Sequence, residues 1–292
     1  MSAPTLRLGY VGLGNIGGPM AGSLATWHGG LSVFDLSDDA IAKVVEKGAT
    51  RAGSLAELAA SADIIGICVL NDEQVRTVVA GDGGLLSAAR EGTIITVHST
   101  ISPETAVELA ETCAAQGVTL LDAPISGGAG GAAEGRLAVM VGGPREAYER
   151  IKEPFALTSD MLVHAGDEVG AGTRMKLARN LLHFVSFTAT AEAARLAEAA
   201  GIDITKLGKV VRHTDAITGG AGSIMLRDTT APIAEDDFWY GIFTPVRTLG
   251  EKDLTLALEL GAHLGVDLPL AELARRDLAA ALGVPHTEGE DQ

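Results

Sequence analysis

Gly12-Leu13-Gly14-Asn15-Ile16-Gly17 decides how the rest of the chain is read. Before it runs Leu6-Arg7-Leu8-Gly9-Tyr10-Val11, a short buried strand by its apolar pattern. After it comes Gly18-Pro19-Met20-Ala21-Gly22-Ser23-Leu24-Ala25, a small-residue stretch that reads as a helix. The arrangement is G-x-G-x-x-G at a strand-to-helix turn. The first glycine permits the tight turn, the second lets backbone approach a pyrophosphate, and the third lets helix pack on strand. The helix N-terminus then presents unpaired N–H groups to the phosphates. Leu31-Ser32-Val33-Phe34-Asp35 reads as a second strand ending in an acid. Asp35 falls roughly 20 residues beyond the glycines, where a carboxylate accepts hydrogen bonds from an adenosine ribose. The stretch therefore predicts a dinucleotide site built from Gly12, Leu13, Gly14, Asn15, Ile16, Gly17 and Asp35. An acid at that point repels a 2′-phosphate, which favours NAD and leaves NADP as the second choice. The plainer alternative is a structural turn in a chain with 37 glycines, with Asp35 a solvated loop residue.

The chain of 292 residues is long enough for two domains and a large core. Its formal charge of −16 argues against nucleic acid or an anionic membrane as partner. No secretory signal and no apolar run of membrane-spanning length stand out in the sequence. Cys68 and Cys113 suggest a reduced cytoplasmic protein, with Cys68 a small core residue, and no metal-ligand cluster is visible.

The first half alternates strand-like and helix-like stretches. Ala62 to Leu70, Gly92 to Val97 and Val118 to Leu121 are near-continuous apolar runs, as expected for strands buried on both faces. Glu73 to Ala80 and Pro103 to Gln116 are helix-compatible, and Ser102 before Pro103 reads as an N-cap. Such alternation implies a parallel sheet with helices on both faces. Leu137 to Gly143 and Met161 to His164 are further strand candidates. Beyond Gly170 alanine- and leucine-rich stretches dominate: Met175 to Ala200, Thr205 to Arg212, Val246 to Gly265 and Leu270 to Leu282. The predicted division is 1–165, an α/β domain, and 166–292, an all-α domain.

Ligands of open parallel sheets bind beyond the carboxyl ends of the strands. Three loops at such ends are small and polar: Leu70-Asn71-Asp72, His98 to Ser102, and Asp122-Ala123-Pro124-Ile125-Ser126-Gly127-Gly128. Their hydroxyls and bare glycine N–H groups can grip a carboxylate; taken singly, each reads first as a turn or helix cap. Lys176 and Asn180, spaced i, i+4, share one helix face. Leu177, Leu181 and Leu182 flank them, so that face reads as buried. A buried ammonium there can donate to a developing alkoxide, or accept a proton if its pKa is depressed. The alternative is an exposed lysine on an amphipathic helix. Lys252-Asp253 reads as a pair near a helix start, solvated or functional.

Together these motifs resemble the β-hydroxyacid dehydrogenases, the family of 3-hydroxyisobutyrate dehydrogenase and tartronate semialdehyde reductase, related to 6-phosphogluconate dehydrogenase. Gly12 to Ala21, Asp122 to Gly128, Gly170-Ala171-Gly172 before Lys176 and Asn180, and Lys252-Asp253-Leu254 stand in family order. The resemblance implies an N-terminal Rossmann-type parallel-sheet domain binding NAD(P), and an all-α C-terminal domain for substrate and dimerisation, joined by a long inter-domain helix. It implies hydride transfer between a nicotinamide and a small 3-hydroxy acid or its semialdehyde. The apolar helical second half suggests that helices pack between subunits, which predicts a homodimer or homotetramer. Carried over, Lys176 is the acid/base and Asn180 orients substrate. Ser126, Gly127 and Gly128 hold the substrate carboxylate. Thr100 and Lys252 line the nicotinamide end, with Leu70 and Asn71 in the cofactor loop. Departures from the family are Arg179 for a common asparagine, Asn71 for a common proline, and one extra residue within 166–170. No clean match exists for an aromatic before Lys252, although Phe238, Trp239, Tyr240 and Phe243 lie close. Arg179 is expected to face solvent. The alternatives are a non-catalytic dinucleotide-binding module and an imine reductase on the same architecture.

Overall fold

A computed structural model describes residues 5–286. Strand β1 (Leu8–Val11) lies inside a nine-stranded sheet, between β2 (Leu31–Phe34) and β4 (Ile64–Ile67), parallel to both. The parallel run continues through β5 (Ile94–Val97) to β6 (Thr119–Asp122) on one side and ends at β3 (Thr50–Arg51) on the other. β1, β4 and β5 are buried at every position because helices cover both faces. Side chains alternate between the faces along each strand. Tyr10, Ile64 and Ile94 therefore join one apolar core with Met20, Val33 and Phe155. Val11, Ile65 and Ile95 join a second core with Leu58, Val75 and Leu109.

Beyond β6 the sheet departs from the all-parallel expectation. β7 (Ile125–Ser126) and β6 both pair antiparallel with β8 (Leu137–Gly142), and β9 (Ser159–Gly166) returns parallel to β8. Between β7 and β8 stand only a short helix, Gly128–Ala133, and a turn at Gly135 with φ +67°. A parallel crossover needs about a dozen residues or more, so the chain folds back on itself instead.

The helices of this half begin where polar caps permit. α1 (Gly17–Leu24) follows the glycine turn, while α2 (Asp38–Val45), α3 (Leu55–Ser61), α4 (Asp72–Ala80) and α5 (Pro103–Ala114) are capped by Ser37, Ser54, Asn71 and Ser102. The short Gly128–Ala133 helix is α6, and α7 spans Arg145–Phe155.

After β9 the described chain is helical: α8 (Ala171–Ala199), α9 (Ile204–Thr218), α10 (Tyr240–Leu264) and α11 (Pro269–Leu282). α10 starts earlier than the pattern suggests and carries Pro245 within it. The chain separates into two compact units, 1–179 and 180–292. In the second, α10 and α11 approach so closely that a Cβ on Gly250 would meet Leu278 Cδ2 at 2.6 Å. The buried carboxylate of Glu192 accepts from Leu270 N at 2.9 Å and Ala271 N at 3.2 Å, capping α11. Among the described residues no helix is long and apolar enough to cross a membrane.

Candidate active site

The glycine turn opens a cleft of about 610 Å³ in the first unit, lined by Gly12, Gly14, Asp35, Cys68, Leu70 and Asn71 among others. The three glycines differ in what demands them. A Cβ on Gly12, at φ +89°, would meet Cys68 O at 2.2 Å, and one on Gly17 would meet Gly12 O at 2.0 Å. Both are required by packing. A Cβ on Gly14 would meet nothing within 4 Å, yet Gly14 lines the cleft. Its bare backbone leaves room for a ligand to approach. α1 also lacks the side-chain cap and first-turn acid that α2, α3, α4 and α5 possess. No side chain of its own offsets the positive end of its dipole, which favours a phosphate there, although within the turn Gly18 N already donates to Gly14 O at 2.9 Å.

Asp35 sits at the end of β2. Its Oδ2 accepts from Leu13 N at 2.6 Å and its Oδ1 from Ser37 N at 2.8 Å. The carboxylate thus ties the glycine turn to the second strand and keeps further lone pairs for a hydroxyl in the cleft. A dinucleotide fits these residues: open backbone at Gly14, an uncapped helix start, and an acid beside them. Cys68 is part-buried: it packs against the first core and also lines the cleft. Burial pushes its thiol up to about 11, so it stays protonated at neutral pH.

The three polar loops are stitched to each other. Ser99 Oγ donates to Val69 O at 2.8 Å and accepts from Val69 N at 2.9 Å. Asp72 Oδ1 accepts from Thr105 Oγ1 at 2.6 Å and Ser102 N at 2.9 Å. The Thr105 hydrogen bond, with help from Ser102 N and Arg76, holds the Asp72 carboxyl below its ordinary range. Asn71 accepts from Gln74 N at 2.9 Å, so it caps α4 as well as lining the cleft. Leu70 is exposed within that cleft and Thr100 is exposed at the end of its loop. His98 is buried: Nδ1 donates to Ala123 O at 2.9 Å and Nε2 lies 3.1 Å from Thr96 Oγ1. Burial drives its pKa down to about 4, so the imidazole is neutral.

Lys176 meets the third loop. It is 7% exposed, and its Nζ donates to Ser126 Oγ at 3.4 Å. Its pKa is lowered, first by desolvation and second by the nearby Arg179 guanidinium. Arg179 itself is exposed, as expected. The flanking leucines do not cover the lysine as expected: Leu177 and Leu181 are 45% and 69% exposed in the single chain. Gly127 and Gly128 follow Ser126 in the left-handed region, at φ +134° and +66°, and a Cβ on Gly128 would meet nothing within 4 Å. Asp122, four residues before Ser126, is fully buried; sequence reading placed it in the loop and assigned it no role. Asn180 and Lys252 belong to the second unit: Asn180 is half-buried on α8, and Lys252 pairs with Asp253 at 2.9 Å on an exposed face of α10.

A dinucleotide cleft on this sheet, followed by a helical half, defines a nicotinamide-dependent oxidoreductase of the Rossmann type. Residues 7–166 match the NAD binding domain of 6-phosphogluconate dehydrogenase, and residues 170–292 match the NAD-binding segment of NADP-dependent 3-hydroxyisobutyrate dehydrogenase. The chain belongs to the 3-hydroxyisobutyrate dehydrogenase family, NAD(P)-dependent oxidoreductases that act on small hydroxy acids. A 3-hydroxyisobutyrate dehydrogenase from Pseudomonas aeruginosa is 36% identical over 92% of this chain and 89% of its own length. An uncharacterized oxidoreductase of Mycobacterium tuberculosis is 58% identical over 98% of this chain and 96% of its own. A crystal structure from Mycobacterium avium 104, named only as an oxidoreductase, is 56% identical with a TM-score of 0.92, covering 96% of this chain and all (100%) of that one. An imine reductase from Myxococcus stipitatus shares the fold alone, at 15% identity and a TM-score of 0.75 over 97% of each chain.

Proposed function

We propose that the protein interconverts a small 3-hydroxy acid and its semialdehyde, with Lys176 as acid/base. The observation that carries this reading is the buried Lys176 ammonium, 3.4 Å from Ser126 Oγ at the edge of the Gly127–Gly128 loop. Ser126 Oγ and the glycine N–H groups can hold the substrate carboxylate, which places a hydroxyl β to that carboxylate near the lysine. In reduction the ammonium gives its proton to the forming alkoxide; in oxidation the neutral amine takes the hydroxyl proton. Desolvation favours the neutral amine and so prepares it as a base. Hydride chemistry is what the dinucleotide supplies when bound. Gly12, Leu13, Gly14, Asn15, Ile16 and Gly17 are assigned to its phosphates, and Asp35 to its ribose, with preference for NAD. Leu70, Asn71, Thr100 and Lys252 are assigned to the rest of the cofactor, and Asn180 to orienting substrate.

In this reading residues 1–165 bind the cofactor and residues 166–292 shape the substrate site and assemble the oligomer. A homodimer or homotetramer is supported by the apolar surface of the helical half, where Phe184, Phe187, Ile217 and Met225 are each more than half exposed. Free Cys68 and Cys113 support a cytoplasmic setting, and the charge of −16 disfavours nucleic acid. The test is nicotinamide absorbance across a panel of 3-hydroxy acids with NAD and NADP in parallel, in wild type and Lys176→Ala. Lys176→Ala is expected to lower kcat roughly 10²–10⁴-fold with NAD affinity retained. Wild-type turnover in that variant removes Lys176 from the mechanism. NAD binding without turnover on any hydroxy acid favours the non-catalytic module.

A further inference from the structure

We infer that Asp122 is a positioning residue: its buried carboxylate fixes the first turn of α8 and thereby aims Lys176 at Ser126. The inference rests on the proposed role of Lys176. Asp122 ends β6, paired in register with Val97 and Gly142. Its Oδ1 accepts from Gly170 N at 2.7 Å and its Oδ2 from Thr173 N at 2.6 Å. Both oxygens are thus spent on the start of the helix that carries the lysine, one turn before Lys176. Among the described residues no lysine or arginine pairs with Asp122; two N–H groups and the positive end of the helix dipole meet its charge.

The seat around this contact is tight. A Cβ on Gly172 would meet Met140 O at 2.2 Å and Asp122 O at 2.7 Å, and one on Gly142 would meet Gly172 N at 2.6 Å. Only bare backbone lets α8 come down onto the ends of β6 and β8. The segment after Asp122 is also held: Ala123 O accepts from His98 Nδ1 at 2.9 Å, and Pro124 O accepts from Met140 N at 3.0 Å. Four residues after Asp122 comes Ser126, which receives the Lys176 ammonium. One short stretch of chain therefore holds the helix by its root and the lysine by its tip. Displacement of the root moves the ammonium relative to the group it must protonate, and small misplacements of a catalytic group cost large rate factors.

The experiment compares kcat, KM and pH profiles of wild type, Asp122→Asn, Lys176→Ala and the double variant. Asparagine keeps one acceptor but turns an NH2 toward the second N–H. Asp122→Asn is expected to lower kcat about 10²-fold with NAD affinity unchanged. Freeing the root of α8 lets the Lys176 ammonium leave its desolvated seat, so the lysine limb of the kcat profile is expected to move to higher pH, which a loss of folded protein alone would not cause. In the Lys176→Ala background the same change is expected to do nothing further. If Asp122→Asn does not fold, Asp122→Glu keeps the carboxylate but lengthens the side chain by one methylene, displacing the root of α8, and is expected to give the same kcat loss. Near-wild-type kcat with an unmoved lysine limb overturns the positioning role, as does a full additional loss in the Lys176→Ala background. Wild-type turnover in Lys176→Ala alone instead overturns the acid/base reading.

Discussion

The two units bury their apolar residues differently. In the first, strands such as β4 and β5 are buried at every position, and two separate cores fill both faces of the sheet. In the second, the buried cluster amounts to Ile233, Phe243, Leu282 and Val284, and the 15-residue helix α9 buries no residue at all. A helix of that length is marginal in water without packing partners. The sheet half carries its stability within one chain. The helical half shows an apolar surface that a second copy would cover, in line with the proposed homo-oligomer.

The strongest way to break this contrast is to charge the helical surface. Phe184 and Phe187 stand 59% and 56% exposed on α8, their rings in edge contact. Just over half of each side chain remains to be covered, so burial contributes about 1 kcal/mol per ring and in a two-fold assembly roughly 4 kcal/mol for the pair. Phe184→Glu/Phe187→Glu is expected to give a monomer by light scattering and to abolish the dependence of Tm on protein concentration. An unchanged assembly would place the interface elsewhere.

The next effect belongs to the sheet half. His98 has a folded pKa of about 4 against an ordinary 6.5, so the unfolded chain binds the extra proton between those values. Stability is then complete above pH 6.5 and is lost as pH falls toward 4, by roughly 3 kcal/mol in all. His98→Gln is expected to shrink the difference between urea-derived stabilities at pH 7 and pH 4 by about that amount. An equal acid loss in the variant assigns the sensitivity to other groups.

What could be read in advance follows the range of the interactions. The glycine turn, Asp35 and the Ser102 cap are local patterns of a few residues, and the structure has the corresponding strand, cleft and helix. The antiparallel return of β8 depends on a connection whose shortness becomes decisive only once β7 is known to be a strand. The caps donated by Asp122 and Glu192 are invisible locally. They reach N–H groups 48, 51 and 78 residues away, and an acid so far from the helix it caps has no signature in spacing. The burial of Lys176 is similar: it comes with folding onto Ser126, while Leu177 and Leu181, the neighbours expected to cover it, are exposed.

Glu192 gives the helical half its counterpart to Asp122. Removing a side-chain cap costs about 1–2 kcal/mol. Glu192→Ala is expected to speed amide hydrogen exchange at Leu270 and Ala271 and to lower the stability of the second unit by that amount, leaving exchange in β1, β4 and β5 untouched. Equal acceleration in both units would mean that they unfold as one.

The smallest expected effect is at Arg179, where the comparison narrows to one lysine and two influences. Desolvation is the larger cause of the lowered Lys176 pKa and lies in the fold; the Arg179 charge is the smaller and is exposed, hence open to screening. Removing the guanidinium takes a positive charge from beside the ammonium, so the lysine pKa rises and less neutral amine is present at a given pH. In Arg179→Ala the acid limb of kcat for hydroxy-acid oxidation is therefore expected to move to higher pH. Arg179→Lys, which keeps the charge, should hold it near its wild-type position. Because salt screens exposed charges, the shift should be larger at low ionic strength and fade as salt is added, while the part due to burial stays. A limb that moves to lower pH, or one indifferent to salt, would show that Arg179 acts on Lys176 through something other than its charge.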